Sequence, residues 1–327
     1  MPVLGAPLPF TLSHAAAVLP LVRRDGTGRG ALLPSVMIAG SFAPDLTYFA
    51  ASGVPGGMEF GSFTHSWVGV LTADAVIAAL LVGAWLLLRE PVVALLPRTW
   101  QGRILGLVRG RGWHERPLGP LLLWGYVSAV LGAATHTVWD AFTHHDRWGS
   151  ELLPVLDEEF GGQPLFWYFQ YGGSALALFA VACFAVSALR RCPDAETAGL
   201  PPLTRRARIG ALALIGGCVL LGAAHRTARW LDYWGGFPER PWEIIPTLCF
   251  GAGAGLVVGL LGYAVVVRVR SGQGDPSAAV SRRPGPRAER AARPPPPPRA
   301  GASARLPGSA PGGTEPSGCS LISLCGV

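Results

Sequence analysis

Lysine is absent from this 327-residue sequence, and all 27 basic residues are arginine. Without lysine, the chain has no amine for a Schiff base with a carbonyl substrate and no Walker lysine for nucleotide phosphates. Charged residues make up only 14% of the chain, whereas hydrophobic residues make up 50%. The sequence therefore excludes these two reaction classes, and its low charge density is typical of a membrane protein.

Cysteine is scarce and has no metal-binding spacing. The six cysteines include no C-x-x-C pair, and Cys183, Cys218 and Cys249 fall inside apolar segments. This distribution indicates small apolar side chains rather than a disulfide framework or a cysteine zinc site. The N-terminus lacks the basic start and small-residue cleavage site of a secretory signal, so we expect it to be retained.

Apolar stretches of about 20 residues predict membrane-spanning helices. Five such stretches cover residues 67–88, 118–139, 165–189, 209–224 and 244–267, of which the fourth is the shortest. We therefore predict an all-α fold, a polytopic membrane helical bundle with about five transmembrane helices in residues 67–270.

The two ends of the chain differ from this central bundle. In residues 1–66, Pro34, Pro44 and Asp45 interrupt the apolar runs, which favours short helices on or slightly in the membrane over a full span. Residues 271–327 are rich in arginine, proline, glycine, serine and alanine, a composition that predicts a disordered tail.

Charge alternates between the connections of the predicted spans. Residues 89–117 and 190–208 are rich in arginine, whereas residues 146–163 carry one arginine and several acids. Arginine-rich connections favour the cytoplasmic side of a cell membrane, which places the N-terminal region and the acidic connection outside and the tail inside. Because the net charge of +7 lies in connections and tail, we expect the lipid bilayer, and no nucleic acid, as a partner.

A cluster of histidine and aspartate ends the second predicted span, LGAATHTVWDAFTHHDRW at residues 131–148. His136 and Asp140 stand four residues apart, so on a helix they share one face about 6 Å apart along the axis. Polar groups are costly in hydrocarbon, so this pair indicates a function. The predicted topology places further residues on the same extracytoplasmic side: His14, Asp45, His65, His144 and His145.

Imidazole nitrogens and carboxylate oxygens are the ligands that zinc and related divalent cations accept. We predict one or two ions, with zinc as the expected metal, in a site whose catalytic residues are Asp45, His136 and Asp140. The predicted metal ligands are His14, Asp45, His65, His136, Asp140 and His144. The hydroxyl groups predicted to orient the imidazoles belong to Ser13, Thr64, Ser66 and Thr135. The alternative is that these are interfacial polar residues that cap helix ends.

Four other features favour structural roles. Asp74, inside the first span, is more consistent with helix pairing than with contact to the site. Gly251, Gly255 and Gly259 lie in an apolar span without a preceding strand, so they predict a close helix-packing face rather than a dinucleotide loop. His114 is expected to be a solvated residue of the cytoplasmic connection. His225 is expected at the interface rather than as a ligand.

Several segments resemble a known family: PFTLSHAAAVLPL, GSFAPDLTYF, FTHSWVGV, LGAATHTVWDAFTH and PLFWYFQYGGSALAL. They are similar to a bacterial family of multi-pass membrane proteins described as a domain of unknown function, number forty-one eighty-four, over about residues 7 to 270. No activity is implied by that family.

More distantly, the order His, Asp, His and His-x-x-x-Asp resembles the YdjM-like membrane-bound metal-dependent hydrolases and the zinc phospholipase C and P1-type nuclease superfamily. That resemblance implies that Asp45, His65, His136 and Asp140 hold one metal and that His14 shares Asp140 with a second. The soluble enzymes have a downstream His-x-x-x-Glu, which this sequence lacks. His144 or His145, with His225, would be the available substitutes.

These observations predict a metal-dependent hydrolase that acts on a phosphoester or other ester of a lipid or envelope component at the extracytoplasmic face. The alternative is a non-enzymatic membrane protein with a metal-binding, transport or scaffold role. A transporter is expected to show ionisable residues near mid-membrane and repeated halves. Only Asp74 indicates such a role, and the sequence has no internal repeat.

Overall fold

The computed structural model describes residues 11–272 except 25, 110–115, 146, 193, 198 and 238–243. His114 and nearly all of the predicted tail lie outside the described residues. The described α-helices are α1 (Ala15–Val18), α2 (Pro34–Phe42), α3 (Leu46–Ala50), α4 (Gly57–Thr64), α5 (Trp67–Leu71), α6 (Ala73–Leu95), α7 (Arg98–Arg109), α8 (Leu118–Thr143), α9 (Trp148–Leu152), α10 (Leu165–Arg191), α11 (Arg205–Trp234) and α12 (Ile245–Gly272). Short 3-10 helices cover Thr11–His14, Leu19–Leu21 and Pro154–Asp157.

The only strands among the described residues are β1 (Glu159–Phe160) and β2 (Gln163–Pro164), which pair antiparallel. Helices α6, α8, α10, α11 and α12 are long and apolar enough to cross a membrane. The prediction of an all-α bundle with five candidate spans is therefore confirmed, and it suggests a multi-pass membrane protein.

The ends of two spans differ from the prediction. The first span begins at Ala73 instead of residue 67, because Thr72 has φ −124° and ψ −82° and separates α5 from α6. The fourth, predicted as the shortest, is the 30-residue α11. A search for apolar stretches does not detect the polar residues at the two ends of this helix. At its first end the Thr204 hydroxyl accepts a hydrogen bond from Ala207 N, and at its last end Gly235 adopts φ 73°.

Helix α2 is a buried element rather than a helix at the membrane surface. Seven of its nine residues are buried, and it packs against α6 and α8. Glycines make this contact possible, because a Cβ on Gly40 would collide with the Ala129 carbonyl and one on Gly132 with the Met37 carbonyl. The prediction of a short helix is confirmed, but its expected surface position is wrong.

The N-terminal segment and α2 form a hairpin that is inserted into the bundle. Along α10, Ser13 contacts Ser174 at 3.4 Å, and Val18, Val22 and Met37 pack against Phe184. Ser174 and Phe184 are ten residues apart, so the hairpin extends about 15 Å along α10. The apolar side chains of the hairpin that face α10, Val18, Val22 and Met37, are buried in protein.

Helices α11 and α12 pack through glycine, as predicted for Gly251, Gly255 and Gly259. A Cβ on Gly255 would collide with the Cys218 carbonyl, and one on Gly259 would lie 2.9 Å from Ile215 Cα. The predicted helix-packing face of α12 is therefore confirmed.

The two arginine-rich connections lie at one end of the bundle. Arg103 Nε is 3.7 Å from Asp194 Oδ1, and Ala195 N donates to the Gly102 carbonyl at 3.0 Å. This end is opposite the carboxyl end of α8, because α7 precedes α8 in the chain. The carboxyl end of α8 carries the predicted metal ligands.

Candidate metal centre

Four predicted ligands from separate parts of the chain meet at the carboxyl end of α8. Asp45 lies between α2 and α3, His65 follows α4, and His136 and Asp140 lie on α8. All four side chains are buried, and one ligand atom from each lies within 4.8 Å of the others. We call these four residues the His/Asp group. Among the described residues, it is the only such group that fits a metal ion.

The imidazole-to-carboxylate separations within the His/Asp group match a metal coordination shell. The Nε2 atom of His136 lies 3.4 Å from Asp45 Oδ1 and 3.3 Å from Asp140 Oδ2. The corresponding distances from His65 Nε2 are 3.6 and 3.4 Å. Tetrahedral ligands at about 2.0–2.1 Å from zinc are separated by roughly 3.3–3.4 Å. A direct charged N–H···O hydrogen bond would be shorter, about 2.7–2.9 Å.

Backbone carbonyls orient both imidazoles of the group. His136 Nδ1 lies 2.8 Å from the Ser41 carbonyl, and His65 Nδ1 lies 2.8 Å from the Gly61 carbonyl. Because a carbonyl oxygen only accepts, each Nδ1 carries a proton, and in the neutral ring Nε2 presents its lone pair. That lone pair faces carboxylate oxygens, an arrangement that is favourable with a cation between them or with a protonated ring.

One residue that holds the group was missed by the sequence reasoning. The Thr11 hydroxyl donates to Asp45 Oδ2 at 2.6 Å, which leaves Asp45 Oδ1 directed at the imidazoles. Thr11 precedes His14 by three residues, so the two share one helical face. That spacing is the signal that could have identified Thr11.

The four hydroxyl residues proposed to orient the imidazoles have other partners. Ser66 caps α5 through Gly69 N, and Thr135 donates to the Gly132 carbonyl. Thr64 lies 3.5 Å from His65 Nδ1 but donates to the carbonyls of Pro44 and Gly61, and Ser13 contacts Ser174. The orienting role predicted for Ser13, Ser66 and Thr135 is wrong, because their hydroxyls bond elsewhere, whereas Thr64 lies within hydrogen-bond distance of His65 Nδ1.

Neighbouring charges shift the pKa values of Asp45 and His65, two residues of the His/Asp group that lie outside the spans. Burial opposes ionisation of Asp45, but His136 and His65 hold the pKa of its carboxyl well below the usual range. Burial likewise opposes protonation of His65, yet Asp140 and Asp45 raise its pKa. The Asp45 carboxylate is thus held ionised by neighbouring positive charge, the condition that a metal ion also satisfies.

The second oxygen of Asp140 faces two further predicted ligands. Asp140 Oδ1 lies 3.5 Å from His14 Nε2 and 3.7 Å from His144 Nδ1. The His14 ring stacks on His136 with centroids 3.7 Å apart, and burial followed by His136 lowers the pKa of His14 to about 4. His14 is therefore neutral at pH 7, the form in which an imidazole binds a metal. We call these three atoms the second position.

The second position is less completely defined than the His/Asp group. His144 Nε2 lies 3.2 Å from Gln170 Nε2, and the amide orientation decides which imidazole nitrogen carries the proton. In contrast, carbonyls determine the tautomers of His65 and His136. A single ion at the His/Asp group thus has the stronger structural support.

Buried polar atoms without hydrogen-bond partners indicate that these residues fit a cation. His136 Nε2 and Asp140 Oδ1 are buried and have no hydrogen-bond partner among the described residues. Buried groups of this kind are rare, because each carries a desolvation penalty of about 1–3 kcal/mol. A cation in the His/Asp group would satisfy His136 Nε2, and one at the second position would satisfy Asp140 Oδ1, so the residues present fit divalent ions.

Three other polar residues lie outside this arrangement. His145 Nδ1 contacts Asp157 Oδ1 at 3.2 Å on the surface, and His225 is exposed on α11. Asp74 is fully buried and interacts electrostatically with His65 and His136. Neither carboxylate oxygen of Asp74 has a hydrogen-bond partner in the described part of the chain, which gives the predicted helix-pairing role no support.

Comparison with known proteins assigns the chain to a family but does not indicate an activity. No curated protein and no solved structure matches this sequence. One family matches over most of the chain, residues 8–265, a range that contains the His/Asp group, four of the five candidate spans and most of the fifth. The chain therefore belongs to the family described as Domain of unknown function (DUF4184).

Proposed function

We propose that the protein is a divalent-metal-dependent hydrolase that cleaves a phosphoester or other ester at the extracytoplasmic face of the cell membrane. The observation that carries this proposal is the set of 3.3–3.6 Å separations between Nε2 of both imidazoles and the two carboxylates. The hydrogen bonds from each Nδ1 to a carbonyl prepare these rings to bind a cation.

A divalent cation bound there, zinc being the expected one, supplies Lewis-acid activation of water and of the ester. The chain contributes the geometry: Ser41 and Gly61 orient the two imidazoles, and Thr11 orients Asp45. The carboxylates of Asp45 and Asp140 would supply the negative charge that holds the cation.

The second position supports chemistry in addition to binding. His14, His144 and Asp140 provide three ligand atoms there, and catalytic zinc sites have three protein ligands with one position open. Asp140 would then hold both ions, one through each oxygen. This arrangement supports the similarity to zinc phospholipase C and P1-type nucleases in residue order.

The position of the site in the bundle supports an ester at the membrane surface. Asp140 is three residues from the end of α8, so it lies about 5 Å from the end of that span. The arginine-rich connections lie at the opposite end of the bundle, and such connections favour the cytoplasm. We infer that a lipid or envelope ester is the substrate.

One observation favours a second candidate, a non-enzymatic metal-binding protein. The His/Asp group supplies four protein ligands, which is the number found in closed structural zinc sites. A site of this kind would stabilise the bundle or carry metal without turnover. The difference between the two candidates is therefore whether ester hydrolysis accompanies metal binding.

The test uses the full chain purified in detergent and loaded with zinc or manganese. Metal content is measured by mass spectrometry, and hydrolysis is measured with bis(p-nitrophenyl) phosphate, a phosphomonoester and a carboxylic ester. We expect about one to two bound ions per chain and hydrolysis of at least one substrate. His65→Ala should lose both properties, whereas the exposed His225→Ala should retain them.

Two results would contradict the hydrolase. Wild-type protein that binds no metal after loading would overturn both candidates. Stoichiometric metal without hydrolysis of any of the three esters would overturn the hydrolase and favour the binding protein.

A further inference from the structure

Arg226 is a charged residue in one of the candidate membrane spans. It lies on α11, eight residues before the end of that helix at Trp234. Charged side chains inside a span are costly, and they commonly pair with one another or with backbone carbonyls. No acid of the described chain forms an ion pair with Arg226. Its guanidinium instead bonds to neutral groups of two short helices and the turn between them.

The first of these helices is α3, which has Asp45 at its beginning. Asp45 directly precedes the five residues of α3, and Tyr48 lies in the middle of them. Nη1 of Arg226 donates to the Tyr48 carbonyl at 2.8 Å and to the Ser52 hydroxyl at 2.9 Å. Carbonyls in the last turn of a helix have no partner within the helix, and an arginine side chain can supply one. Arg226 thus caps the end of α3 that is opposite Asp45.

A helix as short as α3 depends on tertiary contacts for its position, because isolated helices shorter than about 12–15 residues are marginal in water. Helix α12 supplies further contacts through Phe250. Its ring packs edge-on against Phe49 with centroids 5.1 Å apart, and its carbonyl accepts from the Ser52 hydroxyl at 3.4 Å. The Arg226 guanidinium lies 5.3 Å from the centre of the same Phe250 ring. The α11–α12 pair therefore holds α3, and with it Asp45.

The second short helix is α4, which ends at the residue before His65. Nη2 of Arg226 donates to the Met58 sulfur of this helix at 3.3 Å. Helix α4 also packs on the Tyr48 ring, because a Cβ on Gly61 would collide with that ring. The Gly61 carbonyl in turn accepts from His65 Nδ1 at 2.8 Å. One side chain of α11 therefore contacts both of the short helices that lead to ligands of the His/Asp group.

The four ligands differ in how much they need such support. His136 and Asp140 share one helix, so the geometry of α8 sets their spacing. Asp45 and His65 come from separate short segments of the chain. Their distances to the two ligands of α8 therefore depend on how those segments are anchored.

We propose that Arg226 is a positioning residue of the metal site, which anchors α3 and α4 so that Asp45 and His65 face the ligands of α8. This inference rests on the metal binding that the proposed function requires. It gives the α11–α12 pair, which supplies no ligand to the His/Asp group, a role in metal binding.

The test measures zinc affinity and the cobalt(II) absorption spectrum of the full chain in detergent. We expect Arg226→Gln to lower zinc affinity about 10-fold, as for loss of a residue that orients a metal ligand. The cobalt ligand-field bands should shift, because they report the coordination geometry. Arg226→Lys should give an intermediate loss, because lysine lacks the paired donors. Arg229→Gln removes an exposed arginine of the same helix and should bind both metals as the wild type does.

A pair of glycine variants separates positioning from a general loss of stability. A Cβ on Gly251 would collide with the Gly222 carbonyl and lie 2.9 Å from Arg226 Cβ. A Cβ on Gly255 would collide with the Cys218 carbonyl instead. Both alanine variants crowd the α11–α12 contact, so thermal unfolding should show a similar loss of stability. Only Gly251→Ala, which displaces the arginine, should lower zinc affinity and shift the cobalt bands.

Two results would overturn the positioning role and leave the hydrolase intact. The first is wild-type zinc affinity and an unshifted cobalt spectrum in Arg226→Gln. The second is equal zinc affinity in Gly251→Ala and Gly255→Ala, and this comparison decides alone if Arg226→Gln does not fold. Failure of the wild type to bind zinc or cobalt instead overturns the proposed function.

Discussion

Two pairs of helices in this bundle pack through glycine, but their contacts have different consequences. Helices α2 and α8 meet at Gly40 and Gly132, and α11 and α12 meet at Gly222, Gly251 and Gly255. In both pairs an added Cβ would collide with a backbone carbonyl across the interface. Close backbone contact through small residues is a common way to pair helices in membranes, where lipid competes with apolar side chains.

The α2–α8 and α11–α12 contacts differ in the residues that they position. The α2–α8 contact places the Ser41 carbonyl against His136 and brings Asp45 to the same site, so the separation of these helices sets the geometry of the His/Asp group. Next to the α11–α12 contact, the buried cluster of Ala211, Ile215, Tyr263 and Val267 is largely apolar. The first contact therefore lies directly at the His/Asp group, whereas the second reaches α3 through Arg226, which donates to the Tyr48 carbonyl three residues after Asp45.

The largest expected effect is that of Asp140→Ala. Asp140 contributes to both metal positions, so its loss removes a ligand from each. Loss of a residue that hydrogen-bonds to a metal ligand lowers metal affinity by about 10- to 100-fold. Loss of a direct ligand should lower it further, by at least about 100-fold. Metal titration followed by mass spectrometry measures the change, and a variant that retains wild-type metal content would refute the site.

Gly132→Ala should disturb folding and metal binding together. The added methyl group would collide with the Met37 carbonyl and push α2 from α8, at a cost of about 1–3 kcal/mol. The Ser41 carbonyl would move with α2, so the affinity for metal should fall as well. Thermal unfolding in detergent and metal content give the two measurements. Gly83→Ala is the control, because a Cβ there meets no atom within 4 Å.

Gly255→Ala should lower stability by a similar amount without loss of metal. Its methyl group would collide with the Cys218 carbonyl, which lies eight residues before Arg226 and so about 12 Å from it along α11. The measurements are the same as for Gly132→Ala, with Gly216→Ala on α11 as a control that meets no atom within 4 Å. Equal loss of metal in Gly132→Ala and Gly255→Ala would remove the distinction between the two contacts.

Thr11→Val should have the smallest of these effects. The change keeps the shape of the side chain but removes the hydrogen bond to Asp45 Oδ2, so one carboxylate of the group loses its orientation. We expect metal affinity to fall about 10-fold, the lower end of the range for an outer partner. Thr135→Val removes a hydroxyl that bonds within α8 and should leave affinity unchanged.

The candidate ligands were accessible from sequence because polar residues in an apolar chain are conspicuous. His136 and Asp140 stand on one helical face, and the charge of the connections placed His14, Asp45 and His65 on the same side. The partners of these residues were less accessible. Backbone carbonyls such as those of Ser41 and Gly61 carry no sequence signal, because every residue has one.

The helix ends and the burial of α2 show the same division between what the sequence predicted and what it did not. Apolar length predicted five spans, but it underestimated α11, whose polar ends extend beyond any apolar window. Apolar composition also could not distinguish a helix on the membrane from one inside the bundle, and α2 was therefore misplaced. Its burial depends on the partner surface of α8, which lies about 90 residues later in the chain.

Sequence alone determined that the chain is a helical bundle with five long apolar helices and that its histidines and aspartates concentrate toward one end. Both follow from local properties, the length of apolar runs and the cost of polar groups in hydrocarbon. Tertiary structure alone decided that the imidazoles of His65 and His136 face the carboxylates of Asp45 and Asp140 at 3.3–3.6 Å. Such distances arise from the packing of α2 and α4 against α8, and packing between distant segments is not a local property.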